Sequence, residues 1–68
     1  ANLIETLRIY LEQGGNMLRS ADILFIHRNT LQYRLNRIET ITGRKLDDIQ
    51  TRQNFLNALM IERVFPFR

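Results

Sequence analysis

The sequence predicts a small all-α domain built from four helices. Apolar residues recur at helical spacing in four segments of the 68-residue chain, and no segment shows the strict alternation of apolar and polar residues that marks a half-buried strand. Asparagine, glycine and proline stand at the boundaries of these segments, where they cap, end or break helices. No repeat, linker or low-complexity segment divides the chain. We therefore expect residues 1–68 to form one domain, with helices at about 3–13, 17–24, 28–42 and 48–64.

The composition is that of an ordinary globular protein, with 44% hydrophobic and 25% charged residues. The chain has no Cys, which excludes disulfides and thiolate zinc sites and fits a reducing cytoplasm. No apolar run approaches the roughly 18 residues of a membrane-spanning helix. The single histidine, His27, has no second His or Cys with which to bind a metal. The sequence therefore predicts a cytoplasmic protein that is not an enzyme and that uses no cofactor, metal or membrane.

The first helix is predicted over 3–13 from a capping pattern and an apolar stripe. Asn2 stands three residues before Glu5, which is the spacing of a capping box. Gly14 and Gly15 follow the helix, and glycine favours the left-handed conformation in which many helices end. The stripe that we expect to face the core consists of Leu3, Leu7, Tyr10 and Leu11.

The second helix is predicted over 17–24, with Asn16 as its N-cap. The apolar spacing then loses its phase between Leu24 and Leu31, and a turn at residues 25–27 restores it. We expect this helix to be short and to pack through Leu18, Ala21 and Leu24.

The third helix is predicted over 28–42, with Gly43 as its left-handed end. Its apolar side consists of Leu31, Leu35, Ile38 and Thr42. The opposite side consists of Asn29, Gln32, Tyr33, Asn36, Arg37 and Thr40. Arginine and amide side chains hydrogen-bond base edges, and hydroxyl groups reach phosphate oxygens. The outer side of this helix is therefore suited to nucleic acid.

A short helix, a turn and a longer helix of this kind predict a helix-turn-helix, whose second helix enters the major groove of DNA by its N-terminal part. The charge distribution agrees. The formal net charge of the chain is +3, and residues 27–45 hold five basic residues against the single acid Glu39, a balance of +4. Positive charge concentrated on one segment favours a polyanionic partner.

The fourth helix is predicted over 48–64, with Asp47 and Gln50 at capping spacing and Pro66 beyond its end. One apolar face consists of Ile49, Leu56, Leu59 and Met60. A second apolar group lies off that face and consists of Phe55, Ala58, Ile61 and Phe65. A helix that is apolar on two sides usually buries both. A second copy of the chain, an N-terminal region and the first helix are all candidates for covering this second group.

The segment SADILFIHRNTLQYRLNRIETITG resembles the C-terminal helix-turn-helix of the PucR and sugar-diacid-regulator family of bacterial transcription factors. The family hallmark resembles A-x-x-L-x-[IV]-H-R-N-T-L-x-Y-R-L-x-R-I-x-x-x-T-G. The leucine-rich helix that ends in GGN and the later segment LDDIQTRQNFLNALMI are similar too, so the resemblance covers nearly the whole chain. It implies sequence-specific binding to double-stranded DNA by a domain that is joined to an N-terminal effector-sensing region, which this chain lacks.

The third helix is also similar to the recognition helix of the factor for inversion stimulation, which begins with Arg-x-Thr-Leu. That match implies base or groove contacts by His27, Arg28 and Tyr33 and a phosphate contact by Thr30. The predicted DNA-binding residues, hereafter the outer face, are His27, Arg28, Asn29, Thr30, Gln32, Tyr33, Asn36 and Arg37.

Two residues depart from general helix-turn-helix patterns. Those patterns carry glycine where Phe25 stands and an apolar residue where Arg34 stands. Because Arg34 lies at the margin of the apolar side, we expect it to be structural and to pair with an acid such as Asp22.

A rival function is that of a helical dimerisation or docking module, in which the second apolar group of the fourth helix is the functional surface. The two functions predict different sensitive residues. A DNA-binding domain loses its activity through Arg28→Ala, whereas a docking module loses it through Phe55→Ala or Ile61→Ala. One regulator can combine both.

Overall fold

The computed structural model describes residues 2–64, and four helices make up most of this part of the chain. They are α1 (Leu3–Glu12), α2 (Met17–Leu24), α3 (Arg28–Thr42) and α4 (Ile49–Val64). Residues 2–64 contain no strand, so the predicted all-α fold is confirmed. The boundaries agree with the prediction except that α1 ends, and α4 begins, one residue inside the predicted limits.

The helices pack around α1. This helix contacts α2, α3 and α4, and α2 also packs against α3. Leu31 of α3 is completely buried, and together with Leu35 and Ile38 it places the inner side of the third helix at the centre of the domain. Thr42, the fourth residue predicted for this side, is exposed. The core consists of Leu7, Tyr10, Leu11, Ala21, Leu31, Leu35, Ile38 and Leu46. Leu46, which lies between α3 and α4, was not predicted.

The first two helices begin at the predicted asparagine caps. Asn2 Oδ1 accepts a hydrogen bond from the Glu5 backbone N–H (2.9 Å). Asn16 Oδ1 accepts one from the Arg19 backbone N–H (3.0 Å). Each bond satisfies a donor that the helix itself leaves free.

The inner side of α2 differs from the prediction. Leu18 is 65% exposed, so its predicted packing role is wrong. Ser20 takes its place: the side chain is fully buried, and its hydroxyl donates to the Asn16 carbonyl oxygen (2.6 Å). A serine that bonds within its own helix can be buried at little cost, and hydrophobicity alone does not reveal it.

The turn between α2 and α3 uses the left-handed conformation that usually selects glycine. Phe25 has φ 56° and ψ 42°. The Ile26 N–H donates to the Ala21 carbonyl oxygen (3.1 Å), and the Phe25 N–H donates to that of Asp22 (3.2 Å). These two bonds form a Schellman motif. The predicted turn therefore has the geometry of a helix-turn-helix with phenylalanine at the glycine position.

The beginning of α4 is shifted by one residue from the prediction. Asp48, and not Asp47, caps the helix: its Oδ1 accepts from the Gln50 N–H (3.2 Å), and its Oδ2 accepts from the Thr51 hydroxyl (3.0 Å). The hydroxyl bond explains why Thr51, a polar residue, is buried.

The predicted faces of α4 are also wrong in part. Ile49 and Met60 are 74% and 60% exposed, so they do not belong to the inner side. The half-buried apolar residues that pack against the core are Phe55, Leu56 and Leu59. Phe55 therefore contacts the domain's own core with part of its side chain, and it also lines an open surface depression with Arg44, Thr51 and Asn54. Ala58 and Ile61 are exposed, and Phe65 lies outside the described residues.

Arg34 links α3 to α1. Its Nη1 donates to Thr6 Oγ1 (3.4 Å), and that buried hydroxyl donates to the Asn2 carbonyl oxygen (2.9 Å). Residues 2–64 contain no ion pair between Arg34 and Asp22, so the expected pairing of Arg34 with that acid is wrong. The guanidinium reaches the neighbouring helix instead of an acid on α2.

Candidate nucleic-acid interface

The orientation of α3 is fixed by a cap at each end and by its buried contacts with the core. His27 is the N-cap, and Gly43 ends the helix with φ 70°. Leu31, Leu35 and Ile38 are all buried on the inner side. Because a helix presents opposite sides to opposite environments, the other side of α3 must lie at the surface.

All eight residues of the outer face are exposed. Tyr33, an aromatic residue that could have joined the core of so small a domain, is 63% exposed. The structure thus brings the whole predicted set together on one surface that follows α3 from its N-cap for about three turns. The set consists of His27, Arg28, Asn29, Thr30, Gln32, Tyr33, Asn36 and Arg37.

His27 has a defined ring orientation at the start of this surface. Its Nδ1 accepts a hydrogen bond from the Asn29 backbone N–H (3.0 Å). A ring nitrogen that accepts carries no proton, so the neutral imidazole has its proton on Nε2. The exposed edge of the ring can therefore donate a hydrogen bond to a phosphate oxygen or to an acceptor on a base.

Gln32 and Asn36 form a coupled amide pair one turn further along. Gln32 Nε2 donates to Asn36 Oδ1 (2.9 Å), which leaves the Gln32 carbonyl oxygen and the Asn36 amide group free to bond outward. A donor and an acceptor side by side complement the N7 acceptor and N6 donor of adenine in the major groove. The hydrogen bond holds the two amide groups next to each other on the exposed side of α3.

Positive charge dominates this side of the domain. Glu39, the single acid of residues 27–45, is half-buried and accepts a hydrogen bond from the Leu46 backbone N–H through Oε2 (2.8 Å). The ion pair in the described part of the chain, between Arg63 and Glu12 (3.8 Å), joins α4 to α1. The exposed cations on or next to α3 are Arg28, Arg37, Arg44 and Lys45.

The surface around α3 is formed by shallow, open depressions. The first is lined by Tyr33, Asn36, Arg37, Thr40 and Ile41. A second joins the start of α2 to the outer face and is lined by Met17, Arg28, Asn29 and Gln32. Small-molecule sites are enclosed, whereas these depressions are open and each is bordered by an exposed arginine. This surface suits an extended polyanion.

Within residues 2–64, no three metal-binding side chains cluster. None of the helices there is long and apolar enough to cross a membrane.

These features together define a class of protein. A short helix, a turn and a longer helix with an exposed polar and cationic side form a helix-turn-helix DNA-binding domain. The model of the PucR C-terminal helix-turn-helix domain matches residues 3–61, and the chain belongs to this family.

Its relatives include named regulators. The chain is 36% identical over 63 residues to the purine catabolism regulatory protein of Bacillus subtilis (strain 168), covering 93% of this chain and 12% of the relative. It is 39% identical over 62 residues to the proline-responsive transcriptional activator PutR of the same organism, covering 90% and 15%. It is 40% identical over 60 residues to the carbohydrate diacid regulator of Escherichia coli (strain K12), covering 88% and 16%.

The chain spans between 12% and 16% of the length of these three relatives. No solved structure matches the chain.

Proposed function

We propose that the chain is the DNA-binding domain of a bacterial transcriptional regulator and that α3 reads DNA sequence in the major groove. The observation that carries the proposal is the division of α3 into a buried apolar side and an exposed polar side that holds the whole outer face. The relatives named as regulators support it. A regulator of this class meets its DNA in the cytoplasm, where we place the protein.

The outer face divides into base-reading and phosphate-binding residues. We assign base contacts to Arg28 and to the coupled pair of Gln32 and Asn36, because arginine and amide groups match guanine and adenine edges. We assign phosphate contacts to Thr30 and Arg37, because hydroxyl and guanidinium groups position a protein on the DNA backbone. We assign groove or phosphate contacts to the remaining three residues, which are His27, Asn29 and Tyr33.

Arg28→Ala tests the proposal directly. Removing an arginine that binds a base costs about 1–3 kcal/mol, which is roughly a five- to 150-fold reduction of affinity for a preferred duplex. Arg63→Ala is the matched control, since Arg63 is an exposed arginine on α4 that is paired with Glu12. Fluorescence anisotropy with duplex DNA at several salt concentrations compares the two. Equal, small effects of both substitutions would contradict major-groove binding by α3.

A second function is supported by the end of α4. Met60, Ile61 and Val64 are 60%, 53% and 68% exposed, and they lie within two turns of one another. We propose that this apolar surface contacts a second copy of the chain. A two-fold dimer places two recognition helices about 34 Å apart on successive turns of DNA.

The oligomeric state tests this second function. Sedimentation velocity at increasing protein concentration should show a dimer that Ile61→Ser abolishes, while the exposed Ile4 offers the control Ile4→Ser. A domain that stays monomeric at all concentrations contradicts the dimer. The same surface would then be available to another part of a longer regulator.

We also propose that the chain is one part of a longer regulator that contains an effector-sensing region. The short coverage of the relatives supports this. Fusing the chain to the rest of its coding sequence and measuring operator binding with and without candidate effectors tests it. DNA affinity that never responds to the remainder of the protein would contradict it.

A further inference from the structure

The loop between α3 and α4 is held in place by hydrogen bonds at nearly every residue. The Arg44 backbone N–H donates to the Thr42 hydroxyl (3.2 Å), and the Lys45 carbonyl oxygen accepts from the Asp48 N–H (3.3 Å). Leu46, between them, is 2% exposed. Short surface loops usually have fewer fixed groups than this, so the loop is a rigid support for its side chains.

The backbone N–H and the backbone carbonyl of Leu46 both form hydrogen bonds to side chains. Its N–H donates to Glu39 Oε2 (2.8 Å), and its carbonyl oxygen accepts from Arg52 Nη1 (2.8 Å). One acid from α3 and one base from α4 are thereby used to fix the loop. The neighbouring cations Arg44 and Lys45 are exposed, and neither forms an ion pair within residues 2–64.

These two cations are continuous with the outer face. An open depression joins them to the last turns of α3 and is lined by Asn36, Glu39, Thr40, Gly43, Arg44 and Lys45. Asn36 also belongs to the outer face. The positive surface of the domain therefore extends past the end of α3 into the loop.

The length of α3 determines where this end lies when the helix is in DNA. Its 15 residues extend for about 22 Å at 1.5 Å per residue, whereas the major groove is about 12 Å wide. If the N-terminal part of α3 is seated in the groove, this long, straight helix leaves the curving groove towards its C-terminal end. That end is carried towards the phosphates that border it.

We propose that Arg44 and Lys45 form a second DNA contact, a phosphate clamp on the backbone that flanks the groove read by α3. This inference rests on the proposed function of α3 and adds a site outside the outer face. Two cations on a rigid loop bind phosphates without regard to base sequence. The clamp therefore supplies affinity and fixes the depth at which α3 sits, while the outer face supplies sequence preference.

The competing explanation is that the two cations stabilise the C-terminus of α3, whose free carbonyl groups favour nearby positive charge. The two explanations differ in the property that a substitution changes. A phosphate clamp changes DNA binding and its salt dependence but leaves the fold unchanged. A helix-end role lowers the stability of the free domain.

Arg44→Ala and Lys45→Ala, singly and together, separate the two. Anisotropy binding to two duplexes of unrelated sequence, each over a salt series, is compared with Arg63→Ala, which removes the same charge elsewhere. We expect the slope of log K against log salt to decrease in magnitude by about 0.9 for each phosphate that the variant no longer neutralises. Affinity at low salt should fall several-fold and equally for both duplexes, with an unchanged urea midpoint.

Three results would overturn the clamp. One is a salt slope no different from that of Arg63→Ala, and another is a lowered urea midpoint with unchanged binding. The third is a reduction of affinity confined to one duplex, which would make the pair base readers. Failure of the proposed function is separately visible: the unchanged chain would then show no salt-dependent DNA binding, and Arg28→Ala would have no effect.

Discussion

The two longest helices, α3 and α4, are nearly equal in length at 15 and 16 residues but are used in opposite ways. α3 buries three apolar residues in one line and exposes a polar, cationic side. In α4 the buried residue is a threonine, Thr51, and large apolar residues lie on the exposed surface of the helix. A helix whose two sides are sharply divided can be assigned from its sequence, whereas one whose apolar residues are scattered cannot.

A pair of hydrogen-bonded amide side chains does not by itself define a DNA-binding surface. Paired amides four residues apart occur on both helices, as Gln32–Asn36 in α3 (2.9 Å) and as Gln50–Asn54 in α4 (3.1 Å). Such pairs stabilise any helix by a few tenths of a kcal/mol, about 0.2–0.5. The pair on α3 lies on the side opposite the core, where Gln32 adjoins Arg28 and Asn36 adjoins Arg37. The setting of the amides, and not the amides themselves, supports a functional assignment.

The largest difference between the helices should appear when their leucine and isoleucine side chains are truncated. Leu31→Ala removes a completely buried side chain and should cost about 3–5 kcal/mol, enough to unfold a domain of this size. Ile49→Ala, at an exposed position of α4, should change the free energy of unfolding by less than about 0.5 kcal/mol. Urea denaturation followed by circular dichroism measures both. Similar costs for the two would mean that α4 is packed as tightly as α3.

A smaller difference separates the two sides of α4. Phe55 is half-buried against the core, so Phe55→Ala should cost about 1.5–2.5 kcal/mol, half the cost at a fully buried phenylalanine. Ile61→Ala should leave the monomer's stability within about 0.5 kcal/mol and act, if at all, on association. Denaturation at two protein concentrations distinguishes these effects. If the destabilisation by Phe55→Ala depended on protein concentration, Phe55 would contribute to an interface between copies of the chain.

The ends of α1 and α2 should respond in opposite directions. At Gly14, with φ 63° and open space around an added Cβ, Gly14→Ala should destabilise the domain by about 1 kcal/mol through backbone strain alone. Phe25 is 95% exposed, so Phe25→Gly removes little packing and relieves the strain of φ 56°. We expect a gain of about 0.5–1 kcal/mol. Thermal denaturation checks both, and a lower stability of Phe25→Gly would show that the ring makes stabilising interactions of its own.

A small effect on stability is also expected at the N-cap of α3. His27→Ala removes the acceptor for the Asn29 N–H and should cost about 0.5–1 kcal/mol, whereas His27→Ser keeps an acceptor and should cost less. Urea midpoints of the two variants give the comparison. Equal costs would show that the imidazole does more than cap the helix.

Much of the fold could be predicted because local signals agreed with the tertiary structure. Asn2 and Asn16 cap α1 and α2 as their spacing indicates, and Gly43 ends α3 in the left-handed conformation. Leu7, Tyr10 and Leu11 of α1 and Leu31, Leu35 and Ile38 of α3 recur at helical spacing and are buried. The outer face follows directly, since fixing the inner side of α3 fixes the opposite side.

The remaining features could not be predicted because they depend on polar groups that are satisfied through contacts invisible to a hydrophobic pattern. The Thr51 side chain is buried because its hydroxyl donates to Asp48. A prediction that places only apolar residues on the inner side of α4 therefore assigned the faces of this helix incorrectly. The bonds of Leu46 to Glu39 and Arg52 join residues seven and six positions apart. A hydrophobic pattern does not reveal the resulting rigid loop, although the basic pair beside it contributes to the charge of residues 27–45.

The central claim is that α3, rather than α4, is the helix that meets DNA. A titration of the ¹⁵N-labelled domain with a mixed-sequence duplex, followed by amide chemical shifts at low and moderate salt, tests it most directly. We predict shifts concentrated in residues 27–37, with a second group at Arg44 and Lys45, all weakening as salt rises. Amides of α3 that do not respond, together with α4 amides that shift with protein concentration, would contradict the account and identify the domain as an association module.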